Sequence, residues 1–299
     1  KKKEPFSLVW IWFVFIVKGI PMNLSLVFEW ESQKMKIKWL LNLTLCLGMS
    51  VVLSPLLAAD KTAELPEKEK FHIYLLIGQS NMAGRGKVDP ASNKAHPRVL
   101  KLDKAWNWVP ATDPLHFDKP KIAGVGPGSG FGPVIADAYP EVTIGLIPAA
   151  VGGTPLSRWV KGGDLYERAV KLAKENQKKG VIKGAIWHQG EGDSSNPKLY
   201  NSYQKRLSGM IADLRTDLGE PEMPFVMGEL GEFFTRPGAP TVNQALHGIA
   251  KEVPATAVAS SKGLPAKSDQ VHFNAESERE FGKRYAAQML KLQKQAAEK

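Results

Sequence analysis

The chain has 299 residues, is 43% hydrophobic and 23% charged, and carries a formal net charge of +10 at pH 7. This length and composition are ordinary for a globular protein that buries a substantial core without covalent support. Its one cysteine, Cys46, excludes a disulfide framework and a cysteine-based zinc site within one chain. The positive excess lies partly in two predicted helical surfaces, 171–183 and 283–299, so we expect solvated lysines rather than nucleic-acid binding.

The first 59 residues differ in pattern from the remainder of the chain. A short basic segment begins at Met35, an apolar run follows as far as Leu57, and two alanines precede Asp60. Basic, apolar and small residues in that order predict a secretory signal peptide over 35–59, and hence a secreted or periplasmic protein with no stable membrane association after cleavage. Because Cys46 lies inside the apolar run, the mature protein would contain no cysteine, which suits an oxidising compartment.

Residues 1–34 carry a second apolar stretch, Leu8–Val17. It is shorter than the roughly 20 residues that a helix needs to span a bilayer. We interpret 1–34 as a spurious upstream extension; the alternative is a genuine membrane anchor. Both interpretations leave 1–59 out of the folded domain, and the charged, proline-containing segment 60–70 is predicted to be a linker.

Strands and helices are predicted to alternate from residue 71 onward. The apolar, β-rich runs fall at 72–77, 142–147, 181–187, 224–230 and 256–260. The helical periods fall at 131–138, 165–178, 199–218, 242–252 and 275–295. Because continuous apolar strands separated by helices are typical of parallel sheets, we predict an α/β domain over 71–299 whose parallel sheet is covered by helices on both faces.

Residues 85–130 are rich in glycine, proline and tryptophan and show little periodicity. A long segment of this kind is often functional, so we expect it to form one wall of a cleft. Its glycine-rich part, Gly124–Gly130, follows no predicted strand, misses the Gly-x-Gly-x-x-Gly pattern and lacks the Lys-Ser/Thr pair of a phosphate-binding loop. We therefore expect no nucleotide cofactor.

The first predicted strand ends on a small polar turn that holds Ser80. The carboxyl end of a buried strand is where α/β enzymes place nucleophiles and ligands. Gly78 allows a sharp turn there, although Met82 departs from the Gly-x-Ser-x-Gly pattern of another hydrolase class. Ser80 is therefore a candidate nucleophile, and the alternative is a serine that only caps the next helix.

A candidate base for this serine lies near the other end of the chain, at His272. Histidine can take the proton of a serine hydroxyl, and Asp269, three residues earlier, can hold the imidazole in the required tautomer. Asn274 is predicted to cap the last helix, which would fix His272 in a loop just ahead of it. Glu191, directly after another predicted strand, is a second candidate for the orienting carboxylate.

Hydrogen-bond donors that could stabilise the oxyanion of an ester-hydrolysis intermediate are expected after two further predicted strands. Gly152 and Gly153 let a backbone N–H point at an oxyanion, and the amide of Gln189 could donate a hydrogen bond to it. A metal site at His188, Glu191 and Asp193 is a weaker alternative, because these residues are not predicted to share one helix.

Four motifs in chain order resemble those of the SGNH-hydrolase branch of carbohydrate acetylesterases. They are Gly78-Gln-Ser-Asn-Met82, Gly152-Gly-Thr154, His188-Gln-Gly-Glu191 and Asp269-x-x-His-Phe-Asn274. That branch includes sialate O-acetylesterase-type domains and acetylxylan esterases of carbohydrate esterase family six. The resemblance spans Phe71 to about Leu292 and implies a flavodoxin-like three-layer α/β/α sandwich, a serine esterase mechanism and neither cofactor nor metal.

By position in these motifs, the resemblance implies that Ser80 is the nucleophile and His272 the base. The oxyanion hole would join the Ser80 N–H to the glycine and glutamine donors described above. The acid stays open, because the wider SGNH pattern favours Asp269, whereas some members of family six implicate a glutamate that matches Glu191.

The function expected from these observations is removal of acetyl groups from an acetylated carbohydrate. Trp106, Trp108 and Trp159 are candidates for a sugar-binding platform, and core packing is the alternative for each. Three other functions stay open: a short-chain lipase or thioesterase with the same machinery, an inactive glycan-binding domain, and a metal-dependent hydrolase.

Overall fold

The structure is a computed structural model that describes residues 62–298. The predicted signal peptide at 35–59 and the upstream segment 1–34 lie outside the described residues and stay predictions. Within 62–298, no helix is both long enough and apolar enough to cross a membrane.

A seven-stranded sheet in the order β3-β2-β4-β1-β5-β6-β7 forms the centre of the fold. Its strands are β1 (Phe71–Gly78), β2 (Val99–Leu102), β3 (Trp108–Pro110), β4 (Thr143–Pro148), β5 (Val181–His188), β6 (Phe225–Gly228) and β7 (Thr256–Ala259). All neighbouring strands pair in parallel, except that β3 runs antiparallel to β2. The predicted α/β fold with a mostly parallel sheet is confirmed.

Helices cover both faces of this sheet. They are α1 (Ser80–Ala83), α2 (Gly128–Ala138), α3 (Asp164–Gln177), α4 (Pro197–Asn201), α5 (Tyr203–Leu218), α6 (Ala239–Glu252) and α7 (Ala275–Ala297). Alternate side chains of β1 enter different cores, because successive residues of a strand point to opposite faces. Ile73 and Leu75 pack with α3, α5 and α6, whereas Tyr74 and Leu76 pack with α2 and α7. The result is the expected three-layer sandwich.

The strands β2 and β3 were not predicted, since they lie in the segment 85–130 that shows little periodicity. They are short and stand at the edge of the sheet, where alternation is weak. Their hairpin turn depends on one side chain: Asp103 Oδ1 accepts hydrogen bonds from the N–H groups of Ala105 and Asn107, both at 2.8 Å. Trp106 adopts a left-handed conformation inside this turn, with φ of 66°.

The turn after β1 depends on glycine at position 78. Gly78 has φ of 129°, and a Cβ at this position would stand 2.1 Å from the carbonyl oxygen of His188 on β5. The next residue donates its N–H to that same oxygen at 2.8 Å, and α1 then begins at Ser80. The close approach of β1 and β5 therefore brings the Ser80 turn beside the residues that follow β5.

Candidate active site

Ser80, His272 and Asp269 form a continuous chain of hydrogen bonds. His272 Nε2 lies 2.9 Å from Ser80 Oγ, and His272 Nδ1 lies 2.9 Å from Asp269 Oδ2. Because a carboxylate accepts but does not donate, the proton of the neutral imidazole belongs on Nδ1. Nε2 is then free to accept the serine proton, which is the arrangement that activates a serine hydroxyl as a nucleophile.

A tight turn fixes Asp269 against the imidazole. Its Oδ1 accepts from the N–H groups of Val271 and His272 at 3.0 and 2.9 Å, and Gln270 between them has φ of 53°. Partial burial opposes ionisation, but the hydrogen bonds from the His272 ring and these two N–H groups lower the pKa of Asp269 to about 2. The carboxylate therefore stabilises the fold above its ordinary pKa of 3.8, and this contribution disappears as the pH falls through 2.

Glu191, the other candidate for the orienting acid, is hydrogen-bonded to Asn81 and not to His272. Its Oε1 accepts from Asn81 Nδ2 at 2.6 Å and lies 3.3 Å from His188 Nε2. Burial opposes ionisation, but the charge and hydrogen bonding of His188, with the Asn81 donor, lower the pKa of Glu191. Of the two carboxylates that the sequence left open, Asp269 is the one in contact with His272.

The predicted oxyanion donors differ in what they already bind. Gly152 N–H donates to Asp118 Oδ2 at 2.8 Å, so that group is occupied. The N–H groups of Ser80 and Gly153 have no hydrogen-bond partner among residues 62–298, and both residues line the same cavity. Gly153, with φ of 75°, is therefore the glycine whose N–H remains free beside the serine.

Gln189 does not fit its predicted role. Its side chain is fully buried, and its Nε2 donates to Asp193 Oδ2 at 2.7 Å and to Thr154 O at 3.2 Å. Its Oε1 accepts from Tyr203 Oη at 2.9 Å. Gln189 Nε2 also lies 3.4 Å from Gln79 Oε1, so both ends of the amide are engaged by protein groups and this geometry does not favour an oxyanion contact by Gln189.

A different glutamine, Gln79, faces the cavity. Its Oε1 accepts from Gly192 N–H at 3.1 Å, whereas its Nε2 has no hydrogen-bond partner within 62–298. Gln79 was not predicted to be a site residue, although it directly precedes Ser80. The signal was a polar amide at the end of an otherwise apolar strand.

A buried ion pair supports the glycine turn. Arg85 Nη2 lies 2.7 Å from Asp118 Oδ2, and the two side chains are 3% and 1% exposed. Burial opposes ionisation of Asp118, but hydrogen bonds from Arg85 and from Gly152 N–H lower its pKa. Both charged residues lie in the segment predicted to form a cleft wall, where no periodicity or motif distinguishes them from their neighbours.

The alternative metal site does not match the contacts of its residues. Asp193 Oδ1 binds Arg206 Nη2 at 2.7 Å, and its Oδ2 accepts from Leu156 N–H at 2.8 Å and from Gln189. His188 Nδ1 lies 3.1 Å from Tyr285 Oη. His188 Nε2 and Glu191 Oε2 have no hydrogen-bond partner, but within 62–298 no three His, Cys, Asp or Glu side chains are grouped so that they could hold a metal ion.

The cavity above Ser80 has a volume of about 350 Å³. The expected cleft wall contributes Arg85, Lys119 and Ile122, and the opposite side contributes Phe234 and Arg236. Charged, polar and apolar side chains are mixed around one hydroxyl, as is usual in a pocket for a small ligand.

The three tryptophans do not form the expected sugar platform. Trp108 and Trp159 are 2% and 1% exposed and belong to the core, because their indole rings fill space between the sheet and its helices. Trp106 is 40% exposed but does not line the cavity, and Lys171 Nζ lies 5.7 Å from the centre of its ring.

Comparisons with known proteins agree on one family. Residues 70–291 match the family described as carbohydrate esterase, sialic acid-specific acetylesterase. A probable carbohydrate esterase of Arabidopsis thaliana is 33% identical over 232 residues, which cover 70% of this chain and 86% of that relative. A crystal structure from Arabidopsis thaliana is 31% identical, with a TM-score of 0.68 over 74% of this chain and 98% of the other. The structure of NanS, at 16% identity, shares the fold with a TM-score of 0.62 over 77% of this chain and 100% of NanS.

A substitution of Asp269 tests whether this residue is the acid that orients His272. Asp269→Asn removes the carboxylate that holds the imidazole, so we expect kcat on nitrophenyl acetate to fall on the order of 10²–10⁴-fold. The matched control is Asp137→Asn, which alters an exposed Asp–His pair with His96 and should leave kcat within about twofold. A loss below about fivefold for Asp269→Asn would contradict the assignment of the orienting acid.

Proposed function

Because the chain belongs to the family of carbohydrate esterases described as sialic acid-specific acetylesterases, we propose that it removes acetyl groups from a carbohydrate, with Ser80 as nucleophile. The observation that carries this proposal is the 2.9 Å approach of His272 Nε2 to Ser80 Oγ at the floor of the cavity. The signal-like segment 35–59 supports a secreted or periplasmic protein as part of the same proposal.

In the first half of the proposed reaction, Ser80 Oγ bonds to the carbonyl carbon of the acetyl group. Its proton passes to His272 Nε2, and Asp269 stabilises the resulting imidazolium. The carbonyl oxygen becomes an oxyanion. When the tetrahedral intermediate collapses, the bond between the carbonyl carbon and the sugar oxygen breaks, and His272 returns the proton to that oxygen.

In the second half, water attacks the acetyl group on Ser80. His272 takes one proton of the water, a second oxyanion forms, and its collapse breaks the bond to Ser80 Oγ. His272 then protonates the serine oxygen, and acetate leaves. The enzyme returns to its starting protonation state, so the cycle consumes only water and the ester.

The oxyanion hole in this proposal has three donors. The free N–H groups of Ser80 and Gly153 supply two of them, and the unpaired Nε2 of Gln79 supplies the third. Asp118 contributes indirectly, because its hydrogen bond to Gly152 N–H holds the turn that presents Gly153. One such donor stabilises the transition state by roughly 3–4 kcal/mol when it is preorganised.

Ser80→Ala tests the nucleophile directly. Without the hydroxyl, we expect kcat on nitrophenyl acetate to fall on the order of 10⁴–10⁶-fold and labelling by a fluorophosphonate to disappear. Ser208→Ala, on α5, is the control and should label normally. Near-normal turnover by Ser80→Ala would end the proposal, and an unlabelled native protein would favour the inactive glycan-binding alternative.

A series of nitrophenyl esters with acyl chains of increasing length separates an acetylesterase from a lipase or thioesterase. An acetylesterase should lose activity as the acyl chain of the nitrophenyl ester lengthens beyond short groups. A lipase or thioesterase would keep or gain activity with longer chains. A metal-dependent hydrolase would lose activity in EDTA.

Two cations suggest which sugars the cavity accepts. Lys119 and Arg236 line it, and within 62–298 neither side chain has a carboxylate partner. Lys119 Nζ lies 3.8 Å from the point where a Cβ on Gly153 would stand, so a positive charge borders the proposed oxyanion hole. The sialic acid of the family description carries a carboxylate that such cations would bind. We therefore place an acidic acetylated sugar, such as sialic acid, ahead of neutral xylan.

Lys119→Ala and Arg236→Ala test this substrate preference. Each should raise KM for O-acetylated sialic acid on the order of 10-fold or more, because a charge-assisted hydrogen bond is lost. Turnover of neutral nitrophenyl acetate should change less than about threefold. Lys121→Ala, an exposed lysine outside the cavity lining, is the control. Equal effects on the acidic and the neutral ester would contradict an acidic substrate.

A further inference from the structure

Asn81 joins the nucleophile turn to the loop that carries His272. Its Nδ2 donates to Val271 O at 3.1 Å, and its Oδ1 accepts from Phe273 N–H at 3.3 Å. The amide thus binds the backbone on both sides of the histidine. Asn81 is 1% exposed and directly follows Ser80, so it ties the histidine loop to the residue next to the nucleophile.

The remaining donor of Asn81 goes to Glu191. The Nδ2–Oε1 distance of 2.6 Å is short, as expected when a carboxylate accepts the hydrogen bond. Because an amide nitrogen has two protons, one can point to Glu191 and the other to Val271 O. Glu191 therefore fixes the orientation of the Asn81 amide, since a flipped amide would turn its oxygen toward the carboxylate.

Glu191 also lies beside His188, a second buried side chain. It lies 3.3 Å from His188 Nε2. Tyr285 Oη donates its single proton to Trp187 O at 2.9 Å, so the 3.1 Å contact with His188 is made by the Nδ1 proton of the imidazole. The His188 ring is also packed edge-on against Phe273 and Phe281. Burying a carboxylate is costly unless it is hydrogen-bonded, and the side-chain donor to Glu191 within 62–298 is Asn81, because Glu191 Oε2 and His188 Nε2 have no hydrogen-bond partner there.

We propose that Asn81 is a positioning residue for His272, and that Glu191 acts on the histidine through Asn81 and not as its orienting acid. The inference rests on the proposed serine esterase function. Its physical basis is geometric, because an error of about 1 Å in placing a base against a nucleophile can reduce the rate on the order of 10²-fold. Asn81 and Glu191 touch no reacting atom in this scheme.

The test exchanges donor and acceptor between the two positions. Asn81→Asp places two carboxyl groups against each other and removes the donor to Val271 O, so kcat on nitrophenyl acetate should fall on the order of 100-fold, with KM changed less than about threefold. Glu191→Gln alone should cost less than about fivefold, because its amide oxygen can still accept from Asn81. In Asn81→Asp/Glu191→Gln, the new amide donates to the new carboxylate, and kcat should recover at least about tenfold relative to Asn81→Asp.

Recovery of kcat in the double variant distinguishes positioning through Asn81 from a direct role of Glu191. If Glu191 acted on His272 independently, the second substitution would lower kcat further. A double variant no faster than Asn81→Asp, or an Asn81→Asp variant with unchanged kcat, would overturn the inference. Labelling of Ser80 by a fluorophosphonate keeps the two hypotheses apart: loss of labelling in the native protein defeats the esterase function, whereas intact labelling without rescue defeats only the positioning role.

A substitution of another buried asparagine, Asn176, is the control for effects on stability alone. Asn176 accepts from Trp108 Nε1 at 3.1 Å and donates to Leu172 O at 2.9 Å, just before β5 begins. Asn176→Ala should lower Tm while leaving kcat within about twofold. If Asn81→Asp does not fold, Asn81→Ser and Glu191→Ala replace it. Glu191→Ala should then cost on the order of tenfold alone but less than about twofold beside Asn81→Ser, and equal costs would overturn the inference.

Discussion

The hydrogen bond between Ser80 and His272 joins residues 192 positions apart, and the rest of the site is arranged around it. Neither residue lies inside a long element that could place it alone. Ser80 depends on the sharp turn after β1, which needs glycine at position 78. His272 depends on the turn made by Asp269 and on the cap of α7, where Asn274 Oδ1 accepts from Ser277 N–H at 2.8 Å, as predicted. The parallel sheet supplies the common edge at which these two local structures meet.

The same edge concentrates polar groups that would be costly elsewhere in the core. Arg85 pairs with Asp118, and Glu191 Oε1 accepts from Asn81, whereas Glu191 Oε2 is buried with no hydrogen-bond partner within 62–298. Glu278 on α7 is fully buried too, and neither of its carboxyl oxygens has a hydrogen-bond partner within 62–298. Burial and the nearby Glu191 raise the pKa of Glu278 well above its ordinary value. The pKa values of two neighbouring buried carboxyl groups are thus shifted in opposite directions.

Most of the fold could be predicted from the sequence because its strands are buried on both faces and read as continuous apolar runs. The short strands β2 and β3 could not, since their hairpin depends on contacts of Asp103 and not on periodicity. The predicted helix at 199–218 is two helices, α4 and α5, separated at Ser202. Ser80, His272 and Asp269 were brought together as expected, because each sits in a turn with a strong local signal.

The predictions about site residues that the structure does not support share one physical cause: the sequence does not show in which direction a side chain points. Gln79 and Gln189 both stand at strand ends, and the sequence could not show that Gln79 faces the cavity while Gln189 faces Asp193 and Tyr203. From the sequence, Trp108 and Trp159 could have lined a sugar-binding surface or packed in the core. In the structure both are buried in the core. Asp118 carried no signal, because its contact with Gly152 comes from tertiary structure.

A crystal structure of the protein inhibited by a fluorophosphonate tests the central claim most directly. The account predicts phosphorus bonded to Ser80 Oγ, with the phosphoryl oxygen within roughly 3.2 Å of the Ser80 and Gly153 nitrogens, the spacing of a preorganised oxyanion hole. An adduct on another residue, or a phosphoryl oxygen that contacts neither nitrogen, would contradict it.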